Sequence, residues 1–301
     1  MFKHLLVPLD GSHLAEAALP AVLFMAGTSG ARVTLFHAIE QGAPQEIHGE
    51  RHLTKAEEAE RYLGDVAART FPSEMKVERH VHGPSVENVA QSISGHAGEL
   101  GCDLIVMCTH GRGGLRGFIF GRIAQQVAAL GTTPILLIPP VATGVGGGFS
   151  CKRILTPLDG NPEHELGLKI ATSLAKICEA ELFLIMAVHT FSTLSGEEAA
   201  TAKILPGATQ ALLDLAEQDA KAYLRRQLTA LHAGGFTAAA EVGRGDPATV
   251  IIDTAEQTKA DLIVLATHGK TGMDAFWSGS ATPNVASRSA IPLLLAPVGH
   301  V

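Results

Sequence analysis

Aromatic side chains are scarce in this chain of 301 residues: one Trp, two Tyr and eleven Phe. That scarcity argues against a platform on which nucleic-acid bases stack. Basic charge is short as well, with 23 Lys plus Arg against 30 Asp plus Glu and a formal net charge of −7. An isoelectric point near 6.0 argues against a general nucleic-acid binder, which needs a basic face. No apolar run reaches the ~18 residues of a membrane span. Pro8 and Asp10 interrupt the opening stretch before it could serve as a secretory signal. The four cysteines, Cys102, Cys108, Cys151 and Cys178, show no CxxC spacing. They read as buried thiols of a reducing cytosol, so a cytoplasmic protein is expected.

What the chain does have is aliphatic mass. Its hydrophobic fraction is 46% and its mean hydropathy +0.21, which suits helices packed on a buried sheet. At ~150 residues per domain the length suggests two domains.

Self-comparison agrees. Leu5-Leu6-Val7-Pro8-Leu9-Asp10-Gly11 recurs as Ile154-Leu155-Thr156-Pro157-Leu158-Asp159-Gly160, an offset of 149. Asp103-Leu104-Ile105-Val106 recurs as Asp261-Leu262-Ile263-Val264, an offset of 158 shared by Thr109-His110-Gly111 with Thr267-His268-Gly269, by Gly121 with Gly279 and by Pro134 with Pro292. The halves are duplicates, and the second has gained nine residues in its middle, near 190–207. Gly144-Val145-Gly146-Gly147-Gly148 reads as a flexible connector. The expected layout is a domain at 1–143, a linker at 144–150 and a domain at 151–301.

Within each half, short apolar runs read as strands buried on both faces: 5–9, 33–39, 104–107 and 135–138, then 154–158, 182–188, 262–265 and 293–296. Asn161-Pro162 marks a helix start. Leu166, Ile170, Leu174 and Ile177 form a stripe behind it, and 208–232 reads as another helix with Leu212, Leu215, Leu224 and Leu228 inward. Alternating strands and helices imply an α/β fold with parallel sheets, which binds ligands at the carboxyl ends of its strands. The two last strands, 135–138 and 293–296, are expected to meet, because unpaired apolar edges invite aggregation.

The carboxyl ends carry the polar residues. Asp10 and Asp159, each followed by Gly, could recognise a polar ligand edge or could organise a strand-to-helix turn. After the fourth apolar run of the second half comes Ala266-Thr267-His268-Gly269, nine residues, then Gly279-Ser280 opening a helix. Glycines let backbone approach a phosphate, and a helix start favours an anion. A loop with an N-cap serine explains the same residues without a ligand. The pattern is neither a Walker loop nor the GxGxxG of dinucleotide folds. No Ser-His-Asp ordering or nucleophile elbow is visible.

Pro-Leu-Asp-Gly, Thr-His-Gly, the nine-residue gap, Gly-Ser and the Pro-Leu-Leu-Leu of the last strand together resemble the universal stress protein family, and the whole chain resembles its tandem form. The resemblance implies two Rossmann-like, adenine-nucleotide alpha-hydrolase-type domains of five strands each, ATP with Mg²⁺ bound in one subclass, domain pairing through the last strands, and a homodimer. The family's ATP pattern is Gly-x-x-Gly, nine residues, Gly-Ser/Thr. The second half keeps Gly269, Gly279 and Ser280 and has Ala266 at the first glycine. The first half keeps Gly111 and Gly121, with Cys108 at the first glycine and Arg122 at the Ser/Thr. Cys108 would crowd a nucleotide more than Ala266, so the second half is expected to be the better site. Adenine is expected near Pro157, Asp159, Ala187 and Leu265, or in the first half near Pro8, Asp10, Ala38 and Met107, with Arg112 and Arg122 on its phosphate side. Val242-x-x-Gly245-x-Pro247 resembles a further family element, whose first-half counterpart reads as compressed to Val81-His82-Gly83-Pro84.

Two histidine features stand apart. His110 and His268 lie in the phosphate loops and could contact phosphate or hydrogen-bond the loop itself. His80-x-His82 is a metal-ligand spacing on one strand face, but no third ligand is evident from sequence and no metal is assigned. The expected function is a nucleotide-responsive regulator or stress-protection factor that hydrolyses ATP slowly at most. The rivals are an interaction scaffold of the non-nucleotide subclass and an enzyme that uses ATP to activate a substrate.

Overall fold

The apolar runs become strands because helices cover both of their faces. The computed structural model describes residues 1–42, 46–47, 50–109, 121–130, 132–140, 148–267 and 281–298. The chain divides into two compact units, one built on Met1–Ser150 and one on Cys151–Ala266.

The first unit runs β1 (His4–Pro8), α1 (His13–Glu16), α2 (Leu19–Ser29), β2 (Arg32–Glu40), β3 (Glu46–Ile47), β4 (Glu50–Arg51), α3 (Ala56–Thr70), β5 (Val77–Val86), α4 (Val89–Glu99), β6 (Leu104–Cys108), α5 (Arg122–Leu130) and β7 (Ile135–Ile138). Its sheet has the order β7-β6-β1-β2-β5 and is parallel at every pairing. Every residue of β6 and β7 is buried. The second unit runs β8 (Arg153–Pro157), a 3₁₀ turn (Pro162–Glu165), α6 (Leu166–Cys178), β9 (Glu181–Val188), α7 (Gly196–Ile204), α8 (Pro206–Ala233), β10 (Ala238–Arg244), α9 (Pro247–Gln257) and β11 (Leu262–Thr267). Its strands pair in the order β10-β9-β8-β11, also parallel. α10 (Ala281–Arg288) and β12 (Leu293–Pro297) follow. β12 groups with the first unit and adds to β7 antiparallel, with Leu294 opposite Leu136. No helix among the described residues is long and apolar enough to cross a membrane.

The duplicated Asp-Leu-Ile-Val motif has a structural use. The Asp103 carboxylate accepts from the backbone N–H groups of Lys3 and His4 at 2.8–3.0 Å. Asp261 accepts from those of Lys152 and Arg153 at 2.8 Å. Each aspartate pins the entry of its unit's first strand to the strand beside it. None of the four cysteines forms a disulfide, and all four are buried.

Some sequence expectations need correction. β5 and β10 lack an apolar run because they are edge strands, and β10 alternates between half-buried and exposed residues along much of its length. In α8, Leu224 is buried, but Leu212 and Leu215 are 66% and 52% exposed. Nine residues at about 100° each place Leu215 on the face opposite Leu224. The buried face of α6 is Leu168, Ala171, Leu174, Ala175 and Cys178, so Leu166, Ile170 and Ile177 flank it.

The insertion is also larger than the net offset suggests. Ala38 pairs with His82 and Ala187 with Gly243, an offset that rises from 187 − 38 = 149 to 243 − 82 = 161. The second repeat therefore gains 161 − 149 = 12 residues between these strands, and α7 lies in this stretch. The first repeat then gains three: α4 waits for its N-cap at Asn88, while α9 starts directly after Asp246. The first-half counterpart of the Val-x-x-Gly-x-Pro element is thus lengthened, not compressed.

Candidate functional site

In the first unit the loop after β1 is shaped by Asp10. Its Oδ1 accepts from the backbone N–H of Ser12 at 2.9 Å and from the Ser12 hydroxyl at 2.6 Å. Gly11 holds a φ of +92°, and a side chain there would meet Leu53 at 2.9 Å. Asp10 therefore organises the turn with one oxygen and lines a cavity as it does so. That cavity measures about 270 Å³, and its walls include Pro8, Asp10, Ala38, Met107, Gly121 and Arg122. Six residues that the resemblance assigned to a first-half site thus surround one hollow at the carboxyl ends of β1, β2 and β6.

Chemistry is graded across the cavity. Ala38 and Met107 are buried and apolar. Gly121 and Arg122 open α5, so the helix's N-terminal amides and the guanidinium favour an anion at that end. Cys108, in place of a glycine, is buried and lines the same wall. Gly111, Arg112 and His110 lie outside the described residues. Sequence reasoning missed several wall residues. His37 is buried, and its ring lies between the carbonyl oxygens of Leu9 (Nδ1, 2.7 Å) and Leu53 (Nε2, 3.1 Å), one of which accepts from the single N–H of the neutral ring. Val89 and Ile93 come from the first turns of α4. A strand histidine and an apolar helix face read as core, and no pattern in the sequence marks them.

In the second unit Pro157 closes β8, Ala187 lies near the end of β9, and Leu265 and Ala266 lie near the end of β11. Asp159 again organises its turn, accepting from the Asn161 N–H at 2.9 Å. Its other oxygen lies 2.5 Å from His164 Nδ1. A Cβ on Gly167 would stand 3.0 Å from the Ala266 nitrogen, so α6 lies tight against the end of β11. His268, Gly269, Gly279 and Ser280 fall outside the described residues.

A second duplicated contact holds each turn from above. Tyr62 donates to Glu16 at 3.0 Å and Tyr223 to Glu165 at 2.9 Å. Burial, then the neighbouring carboxylate, holds the Tyr62 phenol well above its usual range. The same causes push Tyr223 up to about 12. Elsewhere in the first unit, burial lowers the pKa of His4, helped by Arg32. Burial, then the nearby rings of His96 and His82, lowers that of His80.

Comparison with known proteins follows the repeat. The model of the universal stress protein family matches residues 1–139 and again 150–297. The universal stress protein MJ0531 of Methanocaldococcus jannaschii is 30% identical over 146 residues, which cover 48% of this chain and 81% of that protein. A solved universal stress protein from Archaeoglobus fulgidus is 17% identical with a TM-score of 0.72, covering 98% of each chain. A functionally unknown protein from Pseudomonas aeruginosa, PA1789, is 18% identical with a TM-score of 0.69, covering 99% of this chain and 93% of its own. At these identities the two structures show the shared fold.

Proposed function

This chain belongs to the universal stress protein family, with two of its domains in tandem, and from that premise we propose that it binds an adenine nucleotide, ATP with its Mg²⁺, in the first-unit cavity. The observation that carries the reading is the gathering of Asp10, Ala38, Met107, Gly121 and Arg122 around one hollow. Adenine would lie over Ala38 and Met107, the ribose hydroxyls would meet Asp10, and the phosphates would lie at the start of α5 beside Arg122. Family members have been solved in complex with cAMP and with dAMP.

A second nucleotide at Pro157, Asp159, Ala187, Leu265 and Ala266, with His268, Gly269, Gly279 and Ser280 on its phosphates, belongs to the same proposal. Cys108 made the second half the expected better site from sequence, and we reverse that order because His164 already occupies the second oxygen of Asp159. The reading makes the chain a cytoplasmic, nucleotide-responsive regulator or stress-protection factor whose hydrolysis is slow at most. It places the domains at 1–143 and 151–301, joined by 144–150, with their last strands as the pairing edge and a homodimer as the assembly.

The test is binding of MgATP to the full chain, read by equilibrium dialysis and by thermal melting. At 100 times its dissociation constant the nucleotide should add roughly 2.7 kcal/mol of stability. Asp10→Asn keeps the turn acceptor and removes the charge. Together with Arg122→Ala, it should weaken binding roughly ten-fold or more per charge-assisted contact. Unchanged affinity in both variants, or no melting shift in the parent, overturns the assignment.

A further inference from the structure

The first unit carries a group of imidazoles that the nucleotide reading does not use. His80 and His82 project from one face of β5, two residues apart, and His96 comes from α4 packed over that strand. One ligand atom from each lies within 4.8 Å of the other two. The rings are in contact, with centroids 4.9 Å apart for His80 and His96 and 4.3 Å for His82 and His96. Phe36, buried in β2, floors the group and touches both His80 and His96.

We propose that His80, His82 and His96 bind one divalent transition-metal ion of the zinc class. Nitrogen ligands at ~2.0–2.1 Å in a tetrahedron stand roughly 3.3 Å apart, so the ligand atoms, within 4.8 Å of one another, need to close by at most about 1.5 Å. His96 is already set for the task. Its Nδ1 lies 2.8 Å from the Ser92 carbonyl oxygen, an acceptor only, so in the neutral ring the proton sits on Nδ1 and leaves the Nε2 lone pair for a metal. A backbone carbonyl behind a ligating imidazole is the usual orienting partner in zinc sites. The Glu99 carboxylate lies 3.9 Å from that same Nε2, close enough to take the fourth position, which is otherwise open to water.

The duplication supplies an internal comparison. The strand register places Glu241 and Gly243 where β5 has His80 and His82. The cap alignment of Asn88 with Asp246 places Thr254 where α4 has His96. A side chain at Gly243 would collide with Val250 at 2.4 Å. The second repeat therefore has no room for the site, and packing of the shared fold does not account for three histidines in the first.

The experiment uses the untagged full-length chain, stripped with a chelator and titrated with Zn²⁺ by calorimetry, with Co²⁺ as a spectroscopic probe. One equivalent of Zn²⁺ per chain is expected, together with the visible absorption of tetrahedral Co²⁺. His82→Gln, on the half-buried edge strand, and His96→Gln should each weaken Zn²⁺ by roughly ten-fold or more, while His232→Gln, far along α8, leaves it unchanged. His82→Gln keeps the test informative if His96→Gln fails to fold. Absence of stoichiometric Zn²⁺, or affinity unchanged in a folded His82→Gln chain, overturns the proposal.

Discussion

The two repeats spend the same backbone on different side chains. Both place an aspartate in the turn after the first strand, and both hold that turn with a tyrosine–glutamate pair. The first leaves a cavity beside its aspartate, walled by Met107, Cys108 and Arg122. The second ties its aspartate to His164 and lays α6 hard against the end of β11. The comparison teaches that the conserved skeleton of a duplicated fold positions a site without deciding what fills it. That choice rests on a few residues at the strand ends.

The sharpest way to break the comparison is Gly167→Ala. The new methyl carbon would stand 3.0 Å from the Ala266 nitrogen and 3.5 Å from the Leu265 carbonyl carbon, both backbone atoms of a buried strand. The first repeat has Ala18 at the equivalent position, fully buried, so there the chain tolerates the methyl. Overpacking costs roughly 1–3 kcal/mol, and replacing a helical glycine returns about 0.5–1. A net loss of about 1–2 kcal/mol in urea unfolding is expected. A neutral result would mean that α6 and β11 can separate as freely as their counterparts.

Much of this arrangement was legible in the sequence, and what was not has physical causes. Repeated runs such as 5–9 and 154–158 announce buried parallel strands because burial on both faces demands unbroken apolar residues. β5 and β10 show no apolar run because edge strands alternate or turn polar, and only the His80-x-His82 spacing hints at a strand face there. The six residues around the first-half cavity were marked by the resemblance to the family, carried position by position across the repeat. His37, Val89 and Ile93 were not, since a wall residue contributed by another element leaves no local pattern. The third histidine of the cluster, 14 residues beyond His82, could be found only once α4 was laid over β5. Leu212 and Leu215 misled because leucines in a long helix suggest burial until helical phase is counted against the buried end.

A gentler probe concerns the helix ends. Gly30 and Gly101 take positive φ values of 68° and 66° in the first repeat, and their counterparts Glu179 and Lys259 hold 51° and 52° in the second. Left-handed backbone costs a side-chain-bearing residue about 1–2 kcal/mol, part of which glycine gives back as unfolded-state entropy. Glu179→Gly and Lys259→Gly should each stabilise the protein by about 0.5–1 kcal/mol, seen as a rise in the urea midpoint. Gly30→Ala and Gly101→Ala should move it the other way. Destabilisation by either glycine substitution would show that the second repeat uses these side chains for contacts that outweigh the strain.

The smallest expected effect is a difference in acid sensitivity at the entry of the first strands. His4 is buried, with Nε2 2.7 Å from the Thr34 hydroxyl and Nδ1 3.1 Å from the Leu100 carbonyl oxygen. Burial, aided by the positive Arg32, holds its pKa below the ordinary 6.5. The unfolded chain then takes up a proton near pH 6.5 that the folded chain refuses until lower pH. The contribution of His4 is therefore complete above about pH 6.5 and is lost as pH falls toward the folded-state value. The second repeat has Arg153 in this register, half exposed and 3.5 Å from Glu181, with no such proton to refuse. From pH 7.5 to 5.5, amide protection in β1, after correction for the intrinsic exchange rate, should fall relative to that in β8, and His4→Asn should remove that excess. An equal loss of protection in the two strands would place the acid-sensitive group elsewhere.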